Sequence, residues 1–279
     1  MVKHVIPKSL DEAVDYLYDG SYQVIAGGTD LMVQKRSTAE TPPQFASNLL
    51  FAFNLDELKY IKKSERCIHI GSMTSLETIL HHHDAPNILK EVILDMASPA
   101  IRNVATLAGN IGNASPAGDS LVPLYLLDAQ IILFSKNQFR HLPIEKLILG
   151  PRKTVIRNDE IIKDIAIPIH NFTKTKWTKV GGRQADAIAK VSFLGAVNIE
   201  NEMILDFRVA FGAVYKTIIR SREIEKEYRN ISVTEFKEKR DEIVKKYEEL
   251  ILPIDDQRSN KEYRKKVAIN MLNDFIINI

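Results

Sequence analysis

The segment SLDEAVDYLYDG near the start spaces its apolar positions for a helix, with Leu10, Val14, Leu17 and Tyr18 on one face and Gly20 as a stop. Ser9 and Glu12 stand three apart as in a capping box, where a hydroxyl caps the helix and a carboxylate returns the hydrogen bond. Thr74 with Glu77, Ser232 with Glu235 and Ser259 with Glu262 repeat that spacing and predict further helix starts. After the first helix, an apolar strand-like run from Tyr22 to Ala26 breaks at Gly27 and Gly28 and resumes as an amphipathic segment. The predicted order is helix, strand, glycine turn, short helix.

From Phe51 to Pro168 short apolar segments (CIHIGS, AQIILF, IIKDIAIP) alternate with the helical stretches SLETILHHH and PNILKEVILDMA, an α/β or α+β texture. From Trp177 the pattern changes to longer strands, WTKVGG, AKVSFLGAVNIE and MILDFRVAFGAV, followed by helices from about Ile218 to Leu250 and from Glu262 onward. A separate C-terminal α+β domain is expected to begin near Asn171. No repeat, low-complexity tract or long flexible linker interrupts the chain.

Composition narrows the class. With 279 residues, 45% hydrophobic and 27% charged, the chain has material for more than one domain core and is not generally disordered. A formal net charge of +2 gives no global field that would select nucleic acid or an anionic membrane. Cys67 is the only cysteine, so these residues contain no internal disulfide and no Cys-ligated zinc or iron–sulfur site. The start lacks the apolar core of a signal peptide and no apolar run approaches the roughly 18 residues of a membrane span, so a cytoplasmic location is expected.

Two segments carry candidate chemistry. Ile25-Ala26-Gly27-Gly28-Thr29-Asp30-Leu31 puts two glycines directly after a strand, where missing side chains let a ligand reach main-chain N–H groups and a phosphate could be cradled. It is neither the three-glycine dinucleotide fingerprint nor a P-loop, and taken alone it is more often a tight turn. The second, ATLAGNIGNASPAGD from Ala105 to Asp119, is rich in small and hydrogen-bonding residues without an amphipathic period. It suits a backbone wrapped around an extended polar ligand, with Thr106, Asn110 and Ser115 as donors or acceptors and Asp119 facing a ribose or ring N–H; an ordered surface loop is the plainer alternative.

AGGTDL followed by TLAGNIGNASPAGDSLVPLYLLDA resembles the flavin-binding subunit of molybdenum hydroxylases, the family of xanthine dehydrogenase and aerobic carbon monoxide dehydrogenase. The likeness continues through GPRKTVIRNDEIIKDIAIP, KVGGRQADAIAKVS, RVAFGAV and DDQRSNKEYRKKVA in the family order. It implies an α+β chain with an FAD-binding fold of the vanillyl-alcohol oxidase and para-cresol methylhydroxylase type. Two α/β subdomains, 1–55 and 56–170, would hold FAD between them, followed by an antiparallel-sheet and helix domain over 171–279. The resemblance implies noncovalent FAD, with Ile25 to Leu31 around the pyrophosphate. Thr106, Gly109, Asn110, Ser115 and Asp119 would come from the second loop, and Ile162 and Lys179 would be further flavin contacts. Ala108 departs from the family, which more often has Gly there; its methyl group is tolerable unless that position needs positive φ.

The same resemblance implies an electron-transfer role and partner chains: a large subunit with the molybdenum cofactor and a small subunit with [2Fe–2S] clusters, associated as a dimer of heterotrimers. NAD or another acceptor would reoxidise the flavin. No acid/base dyad is required, and the flavin carries the redox chemistry. A free-standing flavin oxidase or reductase of the same superfamily is the first rival, and a scaffold that has lost its flavin the second. His81-His82-His83-Asp84 reads as a solvated helix terminus, because consecutive side chains point in different directions. Cys67 reads as a small packed hydrophobe, and Glu223 to Glu249 as the exposed face of a helix with Ile243, Val244, Tyr247 and Leu250 inward.

Overall fold

The structure, a computed structural model, describes residues 2–36, 44–136 and 138–279. In chain order its elements begin with β1 (His4–Val5), α1 (Leu10–Asp19), β2 (Tyr22–Ile25), α2 (Leu31–Gln34), β3 (Asn48–Phe51), β4 (Ile61–Lys63) and β5 (Cys67–Gly71). Helices α3 (Leu76–His81), α4 (Asn87–Leu94), α5 (Pro99–Arg102), α6 (Leu107–Asn113) and α7 (Leu121–Leu126) follow. Next come β6 (Gln130–Ser135), β7 (Gln138–Pro143), α8 (Ile144–Leu147), β8 (Ile148–Gly150), β9 (Lys153–Thr154) and β10 (Ile161–Pro168). The last part holds β11 (Lys174–Val180), β12 (Val191–Glu200), β13 (Met203–Gly212), α9 (Arg222–Glu227), β14 (Ile231–Ser232), α10 (Val233–Glu238), α11 (Arg240–Leu250) and α12 (Lys261–Ile277).

The chain divides into two compact units. The first comprises Met1–Pro86, Ala97–Ala114 and Asp128–Pro168; the second comprises Asn87–Met96, Ser115–Leu127 and Ile169–Ile279. Both are therefore discontinuous in sequence.

In the first unit β1, β3 and β2 form a parallel sheet in that order, while β4, β5, β10, β6 and β7 form a five-stranded antiparallel sheet. Helix α1 starts as its sequence predicts, with the Ser9 hydroxyl accepting from Glu12 N at 3.2 Å. Leu10, Ala13, Val14 and Leu17 pack into a core with Leu50, Leu55 and Leu58. Tyr18 instead turns to solvent, 64% exposed, because Ala13 takes the inward position. The other first-unit cap lies one residue later than the sequence suggests: Ser75, not Thr74, accepts from the backbone of α3, since the Thr74 hydroxyl bonds both N and O of Tyr60.

In the second unit β11, β12, β13 and β14 form an antiparallel sheet in sequence order. One face packs on the helices through Phe193, Phe207, Phe211, Phe236, Tyr247 and Phe275, all buried. Each such ring contributes roughly 1.5–3 kcal/mol by leaving water. The helical run expected from Ile218 to Leu250 is broken into α9, α10 and α11, because Asn230 takes φ +59 and Ile231–Ser232 pairs with Met203–Ile204. Ile243 and Tyr247 point inward as predicted, but Leu250 is 36% exposed at the end of α11. The final helix is capped by Asn260 rather than Ser259.

Candidate functional site

Strand β2 ends at buried Ile25, whose carbonyl accepts from Ala52 N, and the chain then turns through Gly27 and Gly28 into α2. The two glycines are required for different reasons. A β-carbon on Gly27 would lie 2.0 Å from the Val104 carbonyl oxygen, so this position is glycine because another stretch of backbone packs against it. Gly28 has ordinary room for a methyl but sits at φ +68, which L side chains disfavour. Among the described residues, the N–H groups of Gly27, Gly28 and Thr29 donate to nothing. Successive unpaired N–H groups in a turn form a concavity of positive potential suited to an anion. Asp30 stands exposed at the start of α2 and accepts from Gln34, which also donates to Asn113 Oδ1 at 2.9 Å; Leu31 opens the helix.

Facing this turn is the segment from Ser98 to Asn113. Arg102, buried in α5, donates to Glu77 Oε2 at 2.8 Å and to the Ala97 carbonyl at 3.0 Å. That anchors α5 and the following Val104, the residue that packs on Gly27. The stretch expected to wrap a ligand as a loop is helical over α6, because the Thr106 hydroxyl caps it by accepting from Gly109 N at 2.9 Å. Asn110 lies half-buried on that helix. A β-carbon on Gly109 would meet Thr106 Oγ1 at 3.2 Å and Ala26 Cβ at 3.7 Å, so the two motifs of the sequence lie side by side. Ala108 is buried within α6 and has no positive φ, so its departure from glycine costs no backbone strain.

Ile25, Ala26, Gly27, Gly28 and Thr106 line one cavity of about 840 Å³, within the range of small-molecule sites. Phe51, Phe53, Tyr60, Ser75 and His82 share its wall. The Tyr60 hydroxyl donates to Asp164 Oδ2 at 3.0 Å, and His69 Nδ1 lies 3.0 Å from the same oxygen. Burial, together with the charge and hydrogen bond of Asp164, pushes the Tyr60 phenol well above its ordinary range, so it stays a neutral donor. The lining combines aromatic faces with free main-chain donors and a few hydroxyls, which suits a ligand that has both a heteroaromatic ring and phosphate.

In the second unit the Ser115 hydroxyl accepts from Ala117 N at 3.3 Å, the turn that leads to Asp119. Asp119 is 7% exposed; its Oδ2 lies 2.7 Å from Lys179 Nζ, and its Oδ1 is buried without a hydrogen-bond partner. Burial raises the Asp119 pKa, Lys179 opposes this, and the charge of Asp95 adds to the rise. Lys179 also donates to the Asp95 carbonyl at 2.9 Å, while Trp177 Nε1 donates to Asp95 Oδ2 at 2.9 Å.

The sequence-predicted residues thus fall into three places. Ile25 through Leu31 join Thr106, Gly109 and Asn110 around or beside the first unit's cavity; Ser115, Asp119 and Lys179 belong to the second unit. Ile162 is buried in β10 opposite Leu133, next to a register shift, and does not line that cavity. Sequence reasoning missed Tyr60, Ser75 and His82 in the cavity and Asp95 and Trp177 beside Lys179. Only Ser75 carried a usable signal, as a hydroxyl next to the expected cap. His82, His83 and Asp84 differ from the sequence-based picture of diverging side chains: their possible ligand atoms lie within 4.8 Å of one another. They already bond among themselves, Asp84 N to His82 Nδ1 at 3.2 Å and His83 Nε2 to Asp84 Oδ2 at 3.1 Å. Cys67 is only half-buried at the start of β5, a poorer hydrophobic packing position than expected.

Residues 1–170 match the family described as the FAD binding domain in molybdopterin dehydrogenase, and residues 176–279 match the CO dehydrogenase flavoprotein C-terminal domain. The chain is 29% identical over 270 residues to the glyceraldehyde dehydrogenase medium chain of Sulfolobus acidocaldarius, covering 95% of this chain and 93% of that one. It is 28% identical to the xanthine dehydrogenase FAD-binding subunit of Escherichia coli over 80% of this chain and 77% of the relative. In fold it resembles a chain of the reconstituted CO dehydrogenase from Oligotropha carboxidovorans, with a TM-score of 0.87 at 23% identity, covering 98% and 96% of the two chains. Quinoline 2-oxidoreductase from Pseudomonas putida 86 gives a TM-score of 0.87 at 20% identity over 100% and 96%.

Proposed function

We propose, from the premise that this chain belongs to the FAD-binding family of molybdopterin dehydrogenases, that it is the electron-transferring medium subunit of a multisubunit oxidoreductase. The observation that carries the reading is the Gly27–Gly28 turn, whose unpaired main-chain donors open on an aromatic-walled cavity. The residues fit FAD. Ile25 through Leu31 would hold the pyrophosphate through N–H groups, and Thr106, Gly109 and Asn110 would close on the cofactor from the α6 side. Ser115, Asp119 and Lys179 are kept as flavin contacts on the strength of the motifs, with Asp119 Oδ1 as an acceptor that has no other partner. Ile162 is kept as a flavin neighbour on the strength of the motif alone. Residues 1–55 and 56–170 would act as the two FAD-binding subdomains and 171–279 as the C-terminal domain.

When bound, FAD supplies a two-electron store between one-electron iron–sulfur carriers and an acceptor, NAD or another. This chain's part would be to bind and orient it: main-chain N–H groups would meet its phosphates, and the Lys179–Asp119 pair would present a polar contact. A four-thiolate cluster is beyond Cys67 alone, so the [2Fe–2S] clusters are assigned to a small partner subunit and the molybdenum cofactor to a large one. Among the described residues no helix is long and apolar enough to cross a membrane, and a cytoplasmic complex is the location we assign.

Co-expression with the partner subunits is expected to give a complex containing Mo, Fe and FAD whose flavin is bleached by substrate, while the isolated chain stays yellow with that substrate. Acid precipitation is expected to release the flavin into the supernatant. Flavin retained in the pellet would refute noncovalent binding. Substrate-dependent flavin reduction by the isolated, metal-free chain would instead establish a free-standing flavoenzyme.

A further inference from the structure

The second unit holds a side-chain chain that the proposed cofactor contacts do not by themselves explain. Trp177 and Lys179 stand two apart on β11, so both side chains leave the same face of the strand. They grip one residue: Trp177 Nε1 donates to the Asp95 carboxylate at 2.9 Å, and Lys179 Nζ to the Asp95 carbonyl at 2.9 Å. Asp95 follows the last turn of α4, where its N–H bonds Val92 O at 3.2 Å. The Lys179 ammonium, 8% exposed, is thereby held between a fixed carbonyl and Asp119 Oδ2 at 2.7 Å. The other Asp119 oxygen is buried and unpartnered.

We propose that Asp95 and Trp177 are positioning residues that fix Lys179 and, through it, keep the free oxygen of Asp119 aimed at its ligand. This rests on the reading of Asp119 as an FAD contact. The indole N–H pins the Asp95 side chain and so steadies the residue at the end of α4 whose carbonyl holds the ammonium; the carbonyl sets where the ammonium sits, and the ammonium sets the carboxylate. Without the pin, Lys179 keeps four flexible methylenes and can leave Asp119, which burial and the Asp95 charge then push toward its protonated form. Trp177 is the only tryptophan in the sequence and lies half-buried, so its role is not that of a core ring.

The test uses the full chain stripped of flavin and titrated with FAD, followed by flavin fluorescence across a pH series, with thermal unfolding recorded for each variant. Asp119→Ala is expected to bind more than tenfold more weakly. Trp177→Phe and Asp95→Ala are expected to lose about three- to tenfold, and Asp95→Asn, which keeps an acceptor for the indole N–H, to stay within twofold of the parent. In Trp177→Phe, the loss of affinity on acidification is expected to set in at higher pH than in the parent. The charged groups that act on Asp119 are Lys179 and Asp95, and neither is altered in that variant. The positioning role is overturned if Asp119→Ala binds weakly while Trp177→Phe keeps the parent's affinity and pH profile, or if Asp95→Asn is as weak as Asp95→Ala. Parent-like binding by Asp119→Ala would instead remove the underlying assignment of Asp119. Should Trp177→Phe not fold, the Asp95→Asn and Asp95→Ala pair decides alone.

Discussion

The glycine turn of the first unit and two buried ion pairs of the second are polar features built from different materials. In the first, the glycine turn offers main-chain N–H groups, and the shape of that turn comes from backbone packed on backbone at Gly27 and Val104. In the second, the polar features are buried pairs of oppositely charged side chains: Asp119 with Lys179, and Glu225 with Arg220, the latter pair 0% and 4% exposed. A turn built from backbone needs no charged side chain of its own and is spoiled by adding atoms. A buried ion pair tolerates added bulk poorly too, but its particular weakness is loss of a single partner, which strands the other in a low-dielectric interior.

That contrast predicts the largest effect in the second unit. Arg220 donates through Nε and Nη2 to both oxygens of Glu225 and through Nη1 to the Tyr125 carbonyl at 2.6 Å, while Val209 N also donates to Glu225. Arg220→Met leaves Glu225 without its cation and is expected to cost about 3–5 kcal/mol. Urea unfolding followed by Trp177 fluorescence reads this unit. The double variant Arg220→Met/Glu225→Leu is expected to recover most of the loss; no recovery would mean that the packing of the guanidinium, not its charge, is what matters.

In the first unit the equivalent injury is an added carbon. Gly27→Ala brings its β-carbon against the Val104 carbonyl oxygen and carbon, atoms that cannot rotate away, and is expected to cost roughly 1–3 kcal/mol. Hydrogen exchange should quicken around Val104 to Thr106, and FAD affinity should fall more than tenfold. Gly28 tests strain without collision, since Ile25 Cγ2 and Met32 Cγ leave it 3.4 Å. Forcing a side chain into φ +68 costs about 1–2 kcal/mol, so Gly28→Ala is expected to weaken FAD binding about tenfold and the branched Gly28→Val well beyond that. Gly28→Asn should be milder, because Asn tolerates the left-handed region. Equal losses for all three would place the defect in the cavity rather than in the backbone.

The same contrast explains what is legible in the sequence. A backbone-built site announces itself through clustered small residues, so Ile25–Leu31 and Thr106–Asn110 stand out as motifs along the chain. Their reason is only half legible there: Gly27 reads as leaving room for a ligand, whereas its missing side chain also makes room for Val104. The helical state of Leu107–Asn113 is hidden because the cap of Thr106 on Gly109, not an amphipathic stripe, organises it. Pairs assembled from distant positions leave no trace: nothing near Asp95 in sequence marks it as the partner of both Trp177 and Lys179. Tertiary pairing likewise overrides local pattern where Ile231–Ser232 joins β13 and splits the expected helix.

The smallest expected effect is also the most diagnostic, because it has opposite signs in the two units. Glu160 in the first unit is buried, which alone would raise its pKa, but two hydrogen bonds from Arg140 and one from Arg157 N outweigh that and hold it below its ordinary value. A lowered folded-state pKa stabilises above the unfolded value of about 4.3 and is lost as pH falls through the folded one. Glu225 in the second unit is raised instead, burial exceeding what Arg220 and Val209 N return. Its contribution is therefore complete below about pH 4.3 and lost as pH rises through the folded value. Hydrogen-exchange stability measured from pH 4 to 7 separates the two, at roughly these bounds. The advantage of the parent over Glu160→Gln should shrink toward the acid end in the first unit, and that over Glu225→Gln should shrink toward neutrality in the second. Slopes of the same sign would show that Arg220 offsets the burial of Glu225 as fully as Arg140 offsets that of Glu160, and the distinction between the two interiors would not extend to their carboxylates.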